Sequence, residues 1–152
     1  MSSRAYDLRS QIKTRLVAEV DDLDATQIII DREHDIMGAI ETTVATATNG
    51  IALTIQPMRG VVGDPDSQQL IIDVSLVLSL WTRPIIAGAL TEQPEEAIHE
   101  AIMQALHHFT LTVHDAYGRA AFQKLKVLRF DEVDDAEYLR RDTIIISEFS
   151  IL

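Results

Sequence analysis

The amino-acid sequence predicts an α+β fold, with a mostly antiparallel β-sheet and helices packed on one face of it. Apolar residues recur at three- and four-residue steps in three segments, which is typical of amphipathic helices. Apolar residues recur at every second position of the segment 70–81, which is typical of a strand. Turn-forming residues separate the segments, and no linker is long enough to divide the chain. We therefore expect residues 1–152 to form a single domain.

The first helix is predicted by one apolar stripe on an otherwise charged segment. The stripe consists of Ala5, Leu8, Ile12, Leu16 and Val20. Ser2 and Ser3 are candidate caps, and the acidic residues of 21–24 end the helix. The β-branched segment 27–31 then predicts a short strand.

A second helix is predicted to begin at Asp35, which can cap it, and to end at Asn49 and Gly50. The segment 51–55 alternates as a strand. A loop rich in turn formers, residues 60–69, follows it.

The longest predicted strand is 70–81, with an uninterrupted apolar face on one side and a partly polar face on the other. Pro84 ends it. After a connection, the segment 95–109 predicts a third helix with one broad apolar face.

The C-terminal part predicts a turn at 115–118 and two final strands at 124–130 and 142–152. The acidic stretch 131–137 lies between these strands, and such charge runs are usually solvated turns. The order is thus helix, strand, helix, strand, strand, helix, strand, strand.

The charge of the chain limits its function. The net charge of −11 disfavours simple binding to a phosphate backbone.

The absence of cysteine excludes disulfides, thiolate metal sites and cysteine catalysis, and fits folding in the cytoplasm. No apolar run is long enough to span a membrane, and the charged N-terminus does not resemble a signal peptide. Residues 1–20 are locally basic, and their cations are Arg4, Arg9, Lys13 and Arg15.

The third helix contains the best candidate for a reactive centre, because Glu96 and His99 have the spacing of carboxylate-bridged metal sites. A di-metal bundle needs a second Glu-x-x-His copy, and a zinc helix needs a histidine where this chain has Met103. Asp73 could pair with a histidine, but the spacing alone specifies no triad. The loop 63–68 lacks the later ligands of a calcium-binding loop. We therefore predict no catalytic residues, no metal site and no cofactor.

Trp81 and Arg83 lie at the end of the long strand, where a tryptophan followed by an arginine is typical of an interface anchor. The alternative is that Trp81 caps the core with its indole N–H at the rim. Both interpretations stay open from the sequence.

Several segments together resemble the tail terminator (tail completion) proteins of long-tailed bacteriophages and the small neck and minor tail proteins encoded beside them. The resemblance rests on the order of elements, on the strand ending in WTRP, on the third helix and on the closing segment YLRRDTIIISEFSIL. It covers most of residues 1–152 in layout. Its most specific feature is the run of Tyr138, Arg140, Arg141 and Asp142.

The resemblance implies a homo-oligomeric ring, usually a hexamer, that caps the tail tube, stops its polymerisation and contacts the head–neck connector. It implies assembly in the host cytoplasm, incorporation into the virion, and contact with DNA only as it passes through the lumen. A closed ring needs a patch that meets a different patch on the neighbour. The expected interface residues are Arg4, Arg9, Lys13, Arg15, Trp81, Arg83, Arg140 and Arg141.

Two alternatives come from other functional classes. One is a small metal-dependent hydrolase that uses Asp73, Glu96 and His99. The other is a dimeric bacterial binding module, which would form a stable dimer rather than a ring.

Overall fold

Three α-helices, one 3₁₀ turn and eight strands make up the part of the chain that the structure describes. This computed structural model describes residues 4–30, 35–56, 59–62, 65–66, 71–83, 94–114, 120–135 and 137–150. The helices are α1 (Arg4–Glu19), α2 (Ile36–Thr46) and α3 (Pro94–Leu106), and the 3₁₀ turn is Ala25–Gln27. The strands are β1 (Ile28–Ile29), β2 (Ile51–Ile55), β3 (Arg59–Val62), β4 (Ile71–Thr82), β5 (Thr110–His114), β6 (Ala120–Lys124), β7 (Lys126–Asp135) and β8 (Tyr138–Ser150).

The main sheet has the strand order β1-β2-β4-β8-β7, and β3 also pairs with β4. Its pairs are antiparallel except for the short parallel pair of β1 and β2. The strands β5 and β6 form a separate antiparallel hairpin. The α+β class with a mostly antiparallel sheet is therefore confirmed. None of the described helices is long and apolar enough to cross a membrane.

The central strand β4 agrees with the prediction for 70–81 to within one residue at each end. It pairs with β8 along its whole length, from Ile71 opposite Ser150 to Thr82 opposite Leu139. Side chains alternate between the two faces of a strand. This pairing therefore fixes which residues of both strands share a face.

The first face of the sheet carries the larger core cluster. Leu76, Leu78 and Leu80 are almost fully buried there. They pack beneath α1 and α3, whose stripes contribute Leu8, Ile12, Leu16, Ile98, Ile102 and Leu106. These two helices cover one face of the sheet, as the sequence predicts.

The helix α2 packs against the second face of the sheet. Ile40 and Val44 form a separate cluster with Ala52, Trp81 and Tyr138. Ala52 lies opposite Trp81 in the β2–β4 pair, so both belong to the face that α1 and α3 leave open. The expectation of helices on one face thus holds for α1 and α3, whereas α2 covers an apolar corner of the other face.

The C-terminal strands extend further than the sequence predicts. The strand β7 runs to Asp135 through the acidic stretch that was predicted as a turn, and β8 begins at Tyr138 rather than 142. Acidic side chains are tolerated because β7 is an edge strand, where they reach water. A β-bulge between Val127 and Arg129 shifts the register of the β7–β8 pair.

Two further segments differ from the prediction. Residues 60–62 of the expected loop 60–69 belong to β3, which pairs with β4. The hairpin of β5 and β6 was not predicted. The helix α3 ends at Leu106, and His108 follows with a positive φ of 64°. The predictions for Ser2, Ser3, residues 63–64 and 67–68, Pro84 and the turn 115–118 lie outside the described residues.

Candidate functional site and assembly surfaces

A polar cluster lies between α3, β7 and β8, and we call it the α3–β8 cluster (Glu96, His99, Glu132, Arg141 and Thr143). Arg141 is buried, with its side chain 9% exposed, and its Nη2 lies 3.0 Å from Glu96 Oε1 and 3.2 Å from Glu132 Oε1. Among the described residues its Nε has no hydrogen-bond partner. The two glutamate side chains remain about half exposed, at 54% and 53%. The guanidinium therefore connects β8 to a helix on one side and to the edge strand on the other.

His99 belongs to the same cluster and is 2% exposed. Its Nε2 shares a hydrogen bond of 2.7 Å with Thr143 Oγ1. The imidazole meets the Phe130 ring edge-on, with 5.0 Å between the ring centroids. Burial lowers the pKa of His99 below its usual value, and the positive charge of Arg141 lowers it further. The fold therefore favours the neutral imidazole.

The residues of the hydrolase alternative do not converge. Glu96 pairs with Arg141 rather than sharing a cation with His99. Asp73 lies on β4 opposite Glu148, five residues along that strand from Leu78, which is opposite Thr143. At the rise of a strand this separation is about 16 Å along the backbone. In the part of the chain that the structure describes, no three His, Asp or Glu side chains are grouped so that they could hold a metal ion.

Trp81 is 6% exposed and lies in the cluster beneath α2. Its Nε1 donates a hydrogen bond of 3.0 Å to Thr54 Oγ1, and its ring meets Tyr138 edge-on. The Arg140 guanidinium lies 5.3 Å from the Trp81 ring centroid and pairs with Asp142 at 3.1 Å. The protomer alone therefore buries Trp81 and holds Arg140 in place. Their expected role at a subunit contact stays a prediction.

Arg83 lies two residues after Trp81, immediately beyond the end of β4, and is exposed. Its position leaves it available to a neighbouring molecule. Arg83 therefore lies at the surface, as an interface anchor does, whereas Trp81 is buried.

The basic residues of α1 divide into internal and outward-facing groups. Arg9 is buried and donates a hydrogen bond to Ile30 O at 3.1 Å. Arg15 donates to Ala105 O at 3.1 Å, and its guanidinium lies 4.9 Å from the Phe109 ring centroid. These two residues hold α1 against β1 and α3.

Lys13 is partly exposed beside an open cleft between α1 and α2. Arg4 begins α1, and its side chain lies outside the described part of the structure.

Sequence reasoning missed the edge strand β7 as a candidate surface. Leu128 and Phe130 are 60% and 51% exposed on it. Their signal was present in the sequence, because two large apolar residues alternate with charged residues in KLKVLRFDEVDD. The acidity of the second half predicts a turn, so the predicted strand ended at residue 130, whereas β7 runs to Asp135.

Comparison with solved structures finds chains of similar fold. A chain of a solved structure described as "Virion of native gene transfer agent (GTA) particle" is similar, with a TM-score of 0.57 and 15% sequence identity. The similarity covers 94% of this chain and 94% of that chain. No family model matches the sequence, and no curated protein matches it either. At this identity, the match shows that the two chains share a fold.

Proposed function

We propose that this chain is a structural subunit of a virion and that it has no catalytic role. The observation that carries the proposal is the end-to-end similarity in fold to a chain of a gene transfer agent virion, over 94% of both chains. Because the match spans nearly the whole chain, the similarity does not rest on one part of the fold alone.

The α3–β8 cluster supports a scaffold role. Its arginine joins three elements through two ion pairs, and its histidine is held by a threonine and an aromatic ring. Such contacts rigidify a protomer, and a rigid protomer loses less conformational freedom when it assembles. The two ion pairs and the histidine–threonine hydrogen bond of the cluster thus have a structural use.

Within the virion, we propose that the chain acts as a tail terminator. Copies form a ring, hexameric by analogy with the family that the sequence resembles. The ring caps the tube protein and offers its other side to the head–neck connector. DNA passes through the lumen without specific binding, consistent with the net charge of −11. Assembly takes place in the host cytoplasm.

The outward-facing cations on this protomer fit a heterologous contact. Arg83 is exposed and Lys13 partly so, whereas Asp21 and Asp22 are exposed elsewhere on the chain. A basic patch that meets a different, acidic patch on a neighbour can repeat around a closed ring. Contacts of this kind set specificity and association rate more than affinity.

The experiment is to polymerise the tail-tube protein from the same genome with and without this protein and to measure tube lengths by electron microscopy. We expect shorter tubes with a cap at one end, because a terminator blocks further addition. A double variant with Lys13→Glu and Arg83→Glu should cap less efficiently, and Thr14→Ala, an exposed position of α1, serves as the control. An unchanged length distribution and bare tube ends would contradict the terminator role.

A further inference from the structure

Within the described part of the chain, the strand β7 has one side of its backbone open to another strand. It forms the end of the main sheet, and among the described residues it pairs only with β8. The Val127 N–H is occupied by His107 Nδ1 at 3.1 Å, so the open part of the edge begins after Val127. Unpaired backbone groups at a sheet edge are a template for pairing with a strand of another molecule.

Two apolar side chains on this strand are exposed. Leu128 and Phe130 are 60% and 51% exposed, the largest values among the exposed large hydrophobic residues of the described chain. Phe130 contacts His99 on one side and is nevertheless half exposed. A second strand laid along β7 would remove both side chains from water, which is favourable.

The charges on β7 are segregated by sign. The first half carries Lys126 and Arg129, and the second half carries Asp131, Glu132 and Asp134, all of them exposed. Charges commonly protect an edge strand from pairing, but protection does not require the two signs to be separated. Two copies of this strand laid antiparallel place the basic half of each beside the acidic half of the other. A parallel arrangement places like charges together.

The charges and the β-bulge between Val127 and Arg129 together select one register. Directly opposed residues of an antiparallel pair lie on the same face, so the two-fold axis must pass through one residue of β7. An axis at Arg129, Asp131 or Glu132 sets that residue opposite its own copy, and like charges directly opposite each other are destabilising. An axis at Leu128 would fall on the bulge, where regular pairing is interrupted, and an axis at Val133 would set Glu132 opposite Asp134. An axis at Phe130 sets Arg129 opposite Asp131 twice and places the two phenylalanine rings together.

We propose that β7 pairs antiparallel with β7 of a second copy of this chain, about a two-fold axis at Phe130. The contact is isologous, because the same patch is used on both copies. It joins the two main sheets into one continuous sheet. The inference does not rest on the proposed function, because a ring built from heterologous contacts uses other surfaces.

The test is the mass of the purified protein, measured by light scattering and sedimentation over a range of concentrations. We expect a monomer–dimer equilibrium for the unmodified chain. Arg129→Asp and Asp131→Arg each place like charges at two symmetric positions, so each variant alone should dimerise about tenfold more weakly or worse. An equimolar mixture of the two variants should recover the dimer, because each strand then faces its complement.

The mixture separates the proposal from a simple loss of folding. Arg129 and Asp131 also approach each other within one chain at 3.6 Å, and both variants lose that exposed contact, mixed or not. Recovery in the mixture therefore requires contact between copies. Arg83→Asp and Glu41→Arg, which make the same changes in net charge at exposed positions away from β7, should leave the dimer unchanged. A chain that stays monomeric at every concentration, or a mixture as weak as its components, would overturn the proposal.

Discussion

At the scale of single residues, Trp81 fills the centre of the packing between α2 and the second face of the sheet. It contacts the cluster through its ring and Thr54 through its indole N–H. A buried polar group needs a partner, so the tryptophan and the threonine depend on each other. This explains why a residue expected at a surface contact lies 6% exposed within the protomer.

Trp81→Ala should lower the free energy of unfolding by about 3–5 kcal/mol, because it leaves a cavity beneath α2. Thr54→Val should cost about 1–3 kcal/mol, because the indole N–H stays buried without an acceptor. Chemical denaturation of the protomer measures both. If Trp81→Ala unfolds at the same denaturant concentration as the unmodified chain, Trp81 does not support the fold as described.

His99 makes stability depend on pH. Its pKa is lowered in the folded chain, chiefly by burial and also by Arg141, against the opposing charges of Glu100 and Glu132. The unfolded chain therefore binds a proton more readily than the folded chain does. The stabilisation from neutral His99 is fully present above its usual pKa of 6.5 and is lost as the pH falls below that value.

The corresponding measurement is the free energy of unfolding between roughly pH 8 and pH 5. The unmodified chain should lose stability as pH falls, with a contribution from His99 of at most about 1.4 kcal/mol per pH unit. His99→Gln keeps a group that can hydrogen-bond to Thr143 but does not titrate, so its profile should be flatter. His108→Asn, at an exposed histidine whose positive φ asparagine tolerates, is the matched control. Parallel profiles for His99→Gln and the unmodified chain would contradict the account.

At the scale of elements, a side chain of α1 hydrogen-bonds to the backbone of the hairpin of β5 and β6. Gln11 Nε2 donates to Thr112 O at 2.6 Å, and Thr112 N donates to Gln11 Oε1 at 3.0 Å. The amide of Gln11 thus satisfies one donor and one acceptor of β5, as a neighbouring strand would.

Gln11→Ala should cost about 1–3 kcal/mol in unfolding free energy, because both backbone groups of Thr112 lose their partner. Gln11→Glu should keep an acceptor for the N–H but lose the donor to the carbonyl. Hydrogen exchange of the Thr112 amide distinguishes the two variants, with strong loss of protection only in Gln11→Ala. Thr14→Ala, three residues along α1 and exposed, should have no effect on that amide. Equal protection in all variants would show that Gln11 does not hold the hairpin.

Elements with a long apolar repeat could be predicted from the sequence. Features that depend on which strands pair could not. β4 was predicted closely because its apolar face is uninterrupted for a dozen residues. The stripe of α1 gave the core positions Leu8, Ile12 and Leu16. The side of the sheet that α2 covers depends on where Ala52 and Trp81 face, and that follows only from strand pairing.

The candidate site was predictable only in part. Sequence spacing drew attention to Glu96 and His99, but their partners Arg141 and Thr143 are 45 and 44 residues away along the chain. Local patterns contain no information about such contacts. The acidic residues of β7 predict a turn because charged side chains indicate exposure to water. An edge strand is exposed to water as well, so charge does not distinguish the two.

At the scale of the whole molecule, one protomer has surfaces suited to two kinds of contact. The outward-facing cations Lys13 and Arg83 fit a heterologous ring, and the β7 edge fits a second copy about a two-fold axis. The contact through Lys13 and Arg83 belongs to the proposed terminator role, and the contact through β7 belongs to the protein free in solution. The two contacts can be tested separately because they use different residues.

The most direct measurement of the central claim is electron microscopy of this protein bound to its tail tube, viewed end-on and averaged in two dimensions. We expect a closed annulus of repeated subunits, with the rotational symmetry of the tube end. The annulus should be lost in the Lys13→Glu, Arg83→Glu variant while the protomer stays folded by circular dichroism. Monomers or dimers that never form an annulus on the tube would contradict the claim that this chain is a ring-forming subunit of the virion.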